Sequence, residues 1–331
     1  MSKWKQIVSR TAGAFMLSAI TTAAFAQQQI VMRIAGANAP GMVRYEATNY
    51  LAENLPKASN NRIKVETFYG TLGGEVEILQ KLILGTLEGY IGTTGPMEQL
   101  TGEPITGIYD IPFLLSSWEH LNRVTQSDIG RDIEARLLKK GLRVLGYANE
   151  GTRAVYTRNA PIRSVDDLKG VKIRVMQNPT YIAMYRALGA QPVPMSWAEV
   201  YTSLQTGVID GVDASLNAGF SDKHIELSKY VTLLGNHVVI ACPIIVSERW
   251  WQTLPAELKT VVENTAKDAL RHQFAKNDEF QNRMKVEWTK AGVTFTEPSR
   301  EQLEKAVNSI YPAIETKVGA ETIAKIRALK Q

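Results

Sequence analysis

VKIRVMQNPTYIAMYRALGAQPVPMSWAEVYTSLQTGVIDGVDASL, residues 171–216, carries strand, helix, helix and strand in succession, and its reading decides the fold. In VKIRV the apolar Val171, Ile173 and Val175 alternate with Lys172 and Arg174, the period-two pattern of a half-buried strand. Arg174 is thereby presented by a rigid element. Tyr181, Met184, Tyr185 and Leu188 recur at three- and four-residue spacing, so 178–189 reads as a helix that Gly189 stops. Ser196 and Glu199 fit a capping box, which predicts a second helix from Trp197 to a stop at Gly207. Residues 208–213 return as a strand.

The alternation extends outward along the chain. Strands are expected at 30–35, 63–69, 89–94 and 142–148, and helices at 43–54 and 79–84. Ser116 with Glu119 caps another helix, and Ser164 opens a short one that Gly170 closes. Strands alternating with helices predict an α/β architecture with largely parallel sheets. From Pro255 to Ala291 one helical pattern runs unbroken, with Leu258, Val261, Val262, Thr265, Ala266, Ala269, Leu270 and Phe274 on its apolar stripe. At 1.5 Å per residue such a helix is roughly 55 Å long, longer than one domain is wide, so it is expected to cross two.

At the front, Lys3, Lys5 and Arg10 precede an apolar stretch at 12–25, and Ala24-Phe25-Ala26 fits a signal-peptidase site, so 1–26 reads as an export signal. The rest is long enough for two domains. Three basic residues leave with the signal, so the formal +5 of the whole chain overstates its charge, and no lysine-arginine run with interleaved aromatics points to nucleic acid. The lone Cys242 excludes an intrachain disulfide and, within VVIACPIIV, reads as a buried structural thiol. His120, His224, His237 and His272 never fall three or four apart, which excludes a helical metal pair. No nucleophile elbow, P-loop, dinucleotide fingerprint or H-E-x-x-H is present. Scattered carboxylates such as Asp110 and Glu150 leave a hydrolase as the competing class.

The K-I-R-V strand, the L-G-A-x-P-x-P-M turn, the E-V-Y-x-x-L-Q-x-G helix and the V-I-D-G strand, in that order, resemble the substrate-binding proteins of tripartite ATP-independent periplasmic (TRAP) transporters. LGGEVEILQKLILGTLEG at 72–89, DIPFLL at 110–115 and WWQTLPAELKTVV at 250–262 extend the resemblance over nearly the whole mature chain. It implies a two-lobe clamshell bridged by a long helix, with 27–150 and 239–278 in the first lobe and 151–238 and 279–331 in the second. It also implies a periplasmic receptor, not an enzyme, without cofactor or metal. Such a receptor captures an organic acid and hands it to a small and a large membrane subunit; nothing in the sequence demands more than a monomer. A binding module serving an ATP-driven importer is the neighbouring alternative.

The resemblance makes Arg174 the carboxylate clamp, a role suited to a planar guanidinium that offers two parallel hydrogen bonds; otherwise it reads as a sheet-surface arginine. Arg153 corresponds to a second ligand-facing arginine or a solvated strand-start residue, and Trp197 to an aromatic against the ligand or a hydrophobic plug. Asp213-Ala214 stands where the family commonly has Glu-Asn, so an amide is missing; either another, such as Gln177 or Asn178, replaces it or the ligand is oriented differently. Asp213 reads as an acceptor for sugar hydroxyls or a partner of a neighbouring arginine. Asn38, Glu75 and Thr93 fall at or beyond strand ends, where ligands bind in open α/β sheets. Glu75 also suits a helix N-terminus, and His237 reads as a donor to ligand or a core histidine. Asp213, Ala214 and Thr93 favour a hydroxylated acid such as a uronate or aldonate over a C4-dicarboxylate or keto acid.

Overall fold

The computed structural model describes residues 29–330. The export signal and its cleavage after Ala26 lie outside the described residues. The strands are β1 (Ile30–Gly36), β2 (Ile63–Tyr69), β3 (Gly89–Ile91), β4 (Leu142–Thr157), β5 (Lys172–Val175), β6 (Gln191–Pro194), β7 (Gly211–Ser215), β8 (Tyr230–Thr232), β9 (Val239–Ser247) and β10 (Thr294–Thr296). They form a path β2-β1-β3-β9-β4-β7-β5-β6, with β8 paired to β4 and β10 to β8.

The parallel expectation holds only on the flanks. β1 pairs in parallel with β2 and β3, and β5 with β6 and β7, whereas β9 and β4 are antiparallel to each other and to their outer neighbours β3 and β7. β4 crosses from one half of the molecule to the other, which a sheet built only of strand-helix-strand units does not require. Its first part pairs with β9, and Arg153 to Thr157 pair with β7. The register shifts between Asn149 and Thr152, where Gly151 adopts φ +81°, a conformation that favours glycine.

β6 was not expected, because Pro192 and Pro194 read as a turn. It is an edge strand, the one place where proline costs no ladder bond. The helix ascribed to a Ser196 capping box begins instead as a 3-10 turn, Trp197–Glu199, and becomes α-helical at Val200–Thr206; the Ser196 side chain caps nothing. The Ser196 hydroxyl lies against Gly74, on which a Cβ would come within 2.3 Å of it. Gly74 therefore lets the first lobe approach the second closely.

The long helix is observed as Ala256–Lys290. Leu258, Val262, Ala266 and Ala269 are buried as the stripe requires, but Phe274 is half exposed. The stripe turns polar one residue earlier because the helix there crosses the main chain of β4. Gln273 accepts from Asn149 N at 3.0 Å and donates to Asn149 O at 2.6 Å, and Gln281 donates to Glu150 O at 2.8 Å. These amides satisfy backbone groups that the register shift leaves without ladder partners. The C-terminal helices pack back against the segment 112–123, where Tyr311 donates to Pro112 O and Arg123 to Leu329 O.

Candidate ligand-binding site

Arg174 projects from β5 and is 3% exposed. Its Nε and Nη2 donate to the Met195 carbonyl at 3.3 and 3.0 Å, and its guanidinium carbon lies 5.0 Å from the Trp197 ring centroid. Among the described residues no carboxylate is in salt-bridge contact with it. Burial, and then the neighbouring Arg153, pull its pKa down to about 10. A buried cation in this condition is stabilised by an incoming anion.

Arg153 differs in that its charge is already matched. Its Nε bonds the Asp213 carboxylate and its Nη2 the Asp213 carbonyl, while the guanidinium lies 4.9 Å from the Tyr181 ring. Arg153 opposes Ser215 in the antiparallel β4–β7 ladder and Val155 opposes Asp213, so the pair forms along the cross-strand diagonal. Burial alone would lower the Arg153 pKa, and the Asp213 carboxylate reverses that and holds it raised.

Asp213 does not face ligand. It is fully buried, its carboxylate also accepting from the Tyr185 hydroxyl and from His237 Nε2 at 3.0 Å. Burial would raise its pKa, but Arg153 and then His237 hold it below the usual carboxylate range. His237 is thus taken from the ligand side as well, by Asp213. Asn178 is spent too: its Oδ1 caps the helix Pro179–Ala187 and its Nδ2 donates to Gly95 O at 2.8 Å. Gln177 is exposed and does not line this cavity; it borders the neighbouring hollow beside Trp197 and an outer one with Glu98 and Pro179.

The residues brought together around one cavity are Arg153, Arg174, Trp197, Asn38, Glu75 and Thr93, joined by Arg44, Glu150, Met176, Ala214, Ser215 and Ala218, which the sequence did not single out as ligand-facing. Glu75 Oε1 accepts from Thr93 N, Thr93 Oγ1 and the Tyr90 hydroxyl at 3.0 to 3.2 Å. Arg44 is buried between the Glu150 carboxylate and Asn38 Oδ1. Asn38 in turn donates to Asp222 Oδ2 at 3.0 Å, beside the Ala39 amide on Oδ1, a pair of bonds between the lobes. Glu150 also accepts from the Ser215 hydroxyl at 2.5 Å and the Cys242 thiol at 3.3 Å. Burial keeps that thiol protonated, which agrees with a structural cysteine. Arg44 carried one signal: a cation at a helix N-terminus opposes the helix dipole and therefore requires a partner.

The cavity measures about 30 Å³, room for one or two waters. A ligand of four or more carbons needs the two walls to part. The chemistry lining those walls is binding chemistry: a free guanidinium, an aromatic face, and acceptors and donors for hydroxyl groups.

Residues 34–317 match the profile of the bacterial extracellular solute-binding proteins, family 7. The chain belongs to this family. It is 27% identical to the C4-dicarboxylate-binding periplasmic protein DctP of Rhodobacter capsulatus over 98% of both chains. A TRAP periplasmic solute-binding protein from Polaromonas sp. JS666, bound to D-erythronate, superposes with a TM-score of 0.87 at 29% identity, covering 92% of this chain and all of the other. The sugar acid binding protein of Advenella mimigardefordensis, in complex with galactonate, superposes with a TM-score of 0.87 at 28% identity, covering 91% of this chain and 98% of the other. The family is one of substrate-binding proteins, and the two-lobe architecture expected for it is the one observed.

The carboxylates that suggested a hydrolase serve the family 7 fold in other ways. Asp110 accepts from Thr94 and Tyr181 hydroxyls at 2.9 Å each, tying the first lobe to the helix Pro179–Ala187. Burial lifts its carboxyl to about 6, against those two bonds and the pull of Arg153. An acid whose pKa is higher folded than unfolded contributes stability that is full below about pH 4 and lost as pH rises through about 6. Between pH 7 and pH 5 the protein is expected to gain roughly 1.4 kcal/mol relative to Asp110→Asn. Denaturant unfolding of both proteins across that range checks this; parallel pH profiles would remove Asp110 as the cause.

Proposed function

We propose that this protein is the periplasmic receptor of a TRAP transporter for a hydroxylated monocarboxylate of the aldonate or uronate kind, which it delivers as a monomer to a small and a large membrane subunit. The observation that carries the proposal is the single unpaired guanidinium. Arg174 is the one arginine of the cleft without a carboxylate in contact among the described residues, whereas Arg44 and Arg153 are each buried against one. One carboxylate on Arg174, with Trp197 against an apolar face of the ligand and Glu75, Asn38 and Ser215 toward its hydroxyls, matches the one unpaired cation with one anion. Similarity to the erythronate- and galactonate-bound proteins supports the same class.

Binding proceeds by closure in this reading. The lobes, 27–150 with 239–278 and 151–238 with 279–331, part at β4 to admit the acid and then exclude water around it. Charge-assisted bonds of about 1.5 to 3 kcal/mol each bias the equilibrium toward the closed form, which the membrane subunits receive. The second reading, a C4-dicarboxylate receptor, is favoured by the Rhodobacter capsulatus relative.

Thermal unfolding of the mature protein against aldonates, uronates, keto acids, C4-dicarboxylates and sialic acid tests the proposal. A ligand at about 100 times its dissociation constant adds roughly 2.7 kcal/mol, which corresponds to several degrees in Tm. Shifts confined to sugar acids are the expected result. A shift given only by C4-dicarboxylates would replace this reading with the second.

A further inference from the structure

Three guanidinium groups and three carboxylates meet in and behind the cleft wall, and they are matched unevenly. Arg44 is paired with Glu150 and Arg153 with Asp213, all four side chains no more than 4% exposed. Glu75 acts on Arg174 only through space, its Oε1 being held by Thr93 and Tyr90. One fork is therefore free for a ligand anion, although three arginines line the cavity.

We infer that Asp213, which does not line the cavity, determines how many carboxylates the ligand can carry: by holding Arg153 it restricts the site to acids with one, and excludes the matching diacids. This rests on the reading of the cleft as a sugar-acid site and adds to it the residue that sets the charge. The pairing is constrained from every side. Arg153 is fixed by two bonds to Asp213 and by the Tyr181 face, and Asp213 cannot turn away because Tyr185 and His237 hold its carboxylate from behind. With Arg153 neutralised, a second carboxylate in the cleft would find no unmatched cation and would face Glu75 and Glu150, both in the lining. Like charges placed together in a desolvated site are strongly disfavoured. Ala214, the neighbour of Asp213 that does line the cavity, supplies no amide to offset that repulsion. Asp213 is in this sense a positioning residue, acting through Arg153.

Calorimetric titration with matched ligands tests the inference. The pairs are D-erythronate with meso-tartrate and galactonate with galactarate, each diacid being the acid with its terminal alcohol oxidised. The monoamide of each diacid adds a ligand of the diacid's size with a single charge. The native protein is expected to bind one of the two acids and its monoamide within about tenfold of each other, and the diacid about 100-fold more weakly, as like-charge repulsion of several kcal/mol implies. Asp213→Asn should free the Arg153 fork and raise the affinity for the diacid relative to the acid by about tenfold or more.

Rejection of monoamide and diacid alike would overturn the inference, since size would then discriminate and not charge. Equal affinity for acid and diacid in the native protein would overturn it while leaving the sugar-acid reading intact. Binding of a C4-dicarboxylate such as succinate, with neither acid bound, would end both. The monoamide comparison uses the native protein, so it decides the matter even where Asp213→Asn does not fold.

Discussion

Arg174→Ala is expected to weaken binding of the sugar acid by about 10² to 10⁴-fold while leaving the fold intact, and Arg174→Lys, which keeps one bond at most, by about 10-fold or more. Two charge-assisted hydrogen bonds of about 1.5 to 3 kcal/mol each give a loss of that size when the fork is removed. Lysine keeps the charge but presents it as a point, so one bond at most survives, and the group loses its planar contact with Trp197. Stability should change little or rise, because Arg174 is a buried cation without a carboxylate partner and its present donors reach only one carbonyl, Met195. Calorimetric titration alongside thermal unfolding separates the two effects. Retention of affinity by Arg174→Lys would mean that the carboxylate docks elsewhere in the cleft.

The cleft thus combines one unsatisfied group with a scaffold in which almost everything else is satisfied. Asn38 is bonded by its side chain to Arg44 in its own lobe and to Asp222 in the other, so the wall that meets the ligand also holds the lobes together. An acid on Arg174 adds contacts to a closed arrangement that already has bonds between lobes. Its affinity for the closed form then needs only to exceed the cost of closing.

What was legible in the sequence is what depends on local period. The alternation of VKIRV placed Arg174 on a strand, and the unbroken helical pattern gave Ala256–Lys290 to within a residue of each end. Of the ten residues expected to face ligand, Asn38, Glu75, Thr93, Arg153, Arg174 and Trp197 line the cavity, and Asp213, Gln177, Asn178 and His237 do not. What the sequence hid depends on pairing between distant segments. Asp213 and Arg153 are 60 positions apart and Glu150 and Arg44 are 106 apart. No spacing rule shows that β4 and β7 run antiparallel and bring Asp213 onto the diagonal of Arg153 instead of into the cavity. The capping box at Ser196 had the right residues, but the segment opens as a 3-10 turn and the Ser196 side chain makes no cap bond. Phe274 fitted the helical stripe and is half exposed because Gln273 turns toward the main chain of β4.

Glu150→Gln is expected to be strongly destabilising, at about 3 to 5 kcal/mol, because it leaves the Arg44 guanidinium buried without a counter-charge. Arg44 is 1% exposed, and its Nε has no hydrogen-bond partner even with Glu150 present. Burial works to lower its pKa, and the Glu150 carboxylate keeps it well above the ordinary value. Glutamine preserves the shape and can still accept from Ser215, so the loss reports charge and not packing. At roughly 2 to 4 °C of Tm per kcal/mol for a protein of this order of size, the shift should be about 10 °C. The pair must also be strongly coupled. Arg44→Met introduced into the Glu150→Gln protein should cost far less than in the native one, since the charge it removes is then the unpaired one. Thermal or denaturant unfolding of the four proteins of that cycle measures the coupling. Additive losses, or a Glu150→Gln protein within about 1 kcal/mol of native, would mean that water reaches Arg44 and that the pair contributes no more than a surface salt bridge. The consequence for function follows from position. Glu150 sits on β4 beside the register shift and binds Ser215 of β7, so its loss should loosen the junction of the two lobes together with the cavity wall.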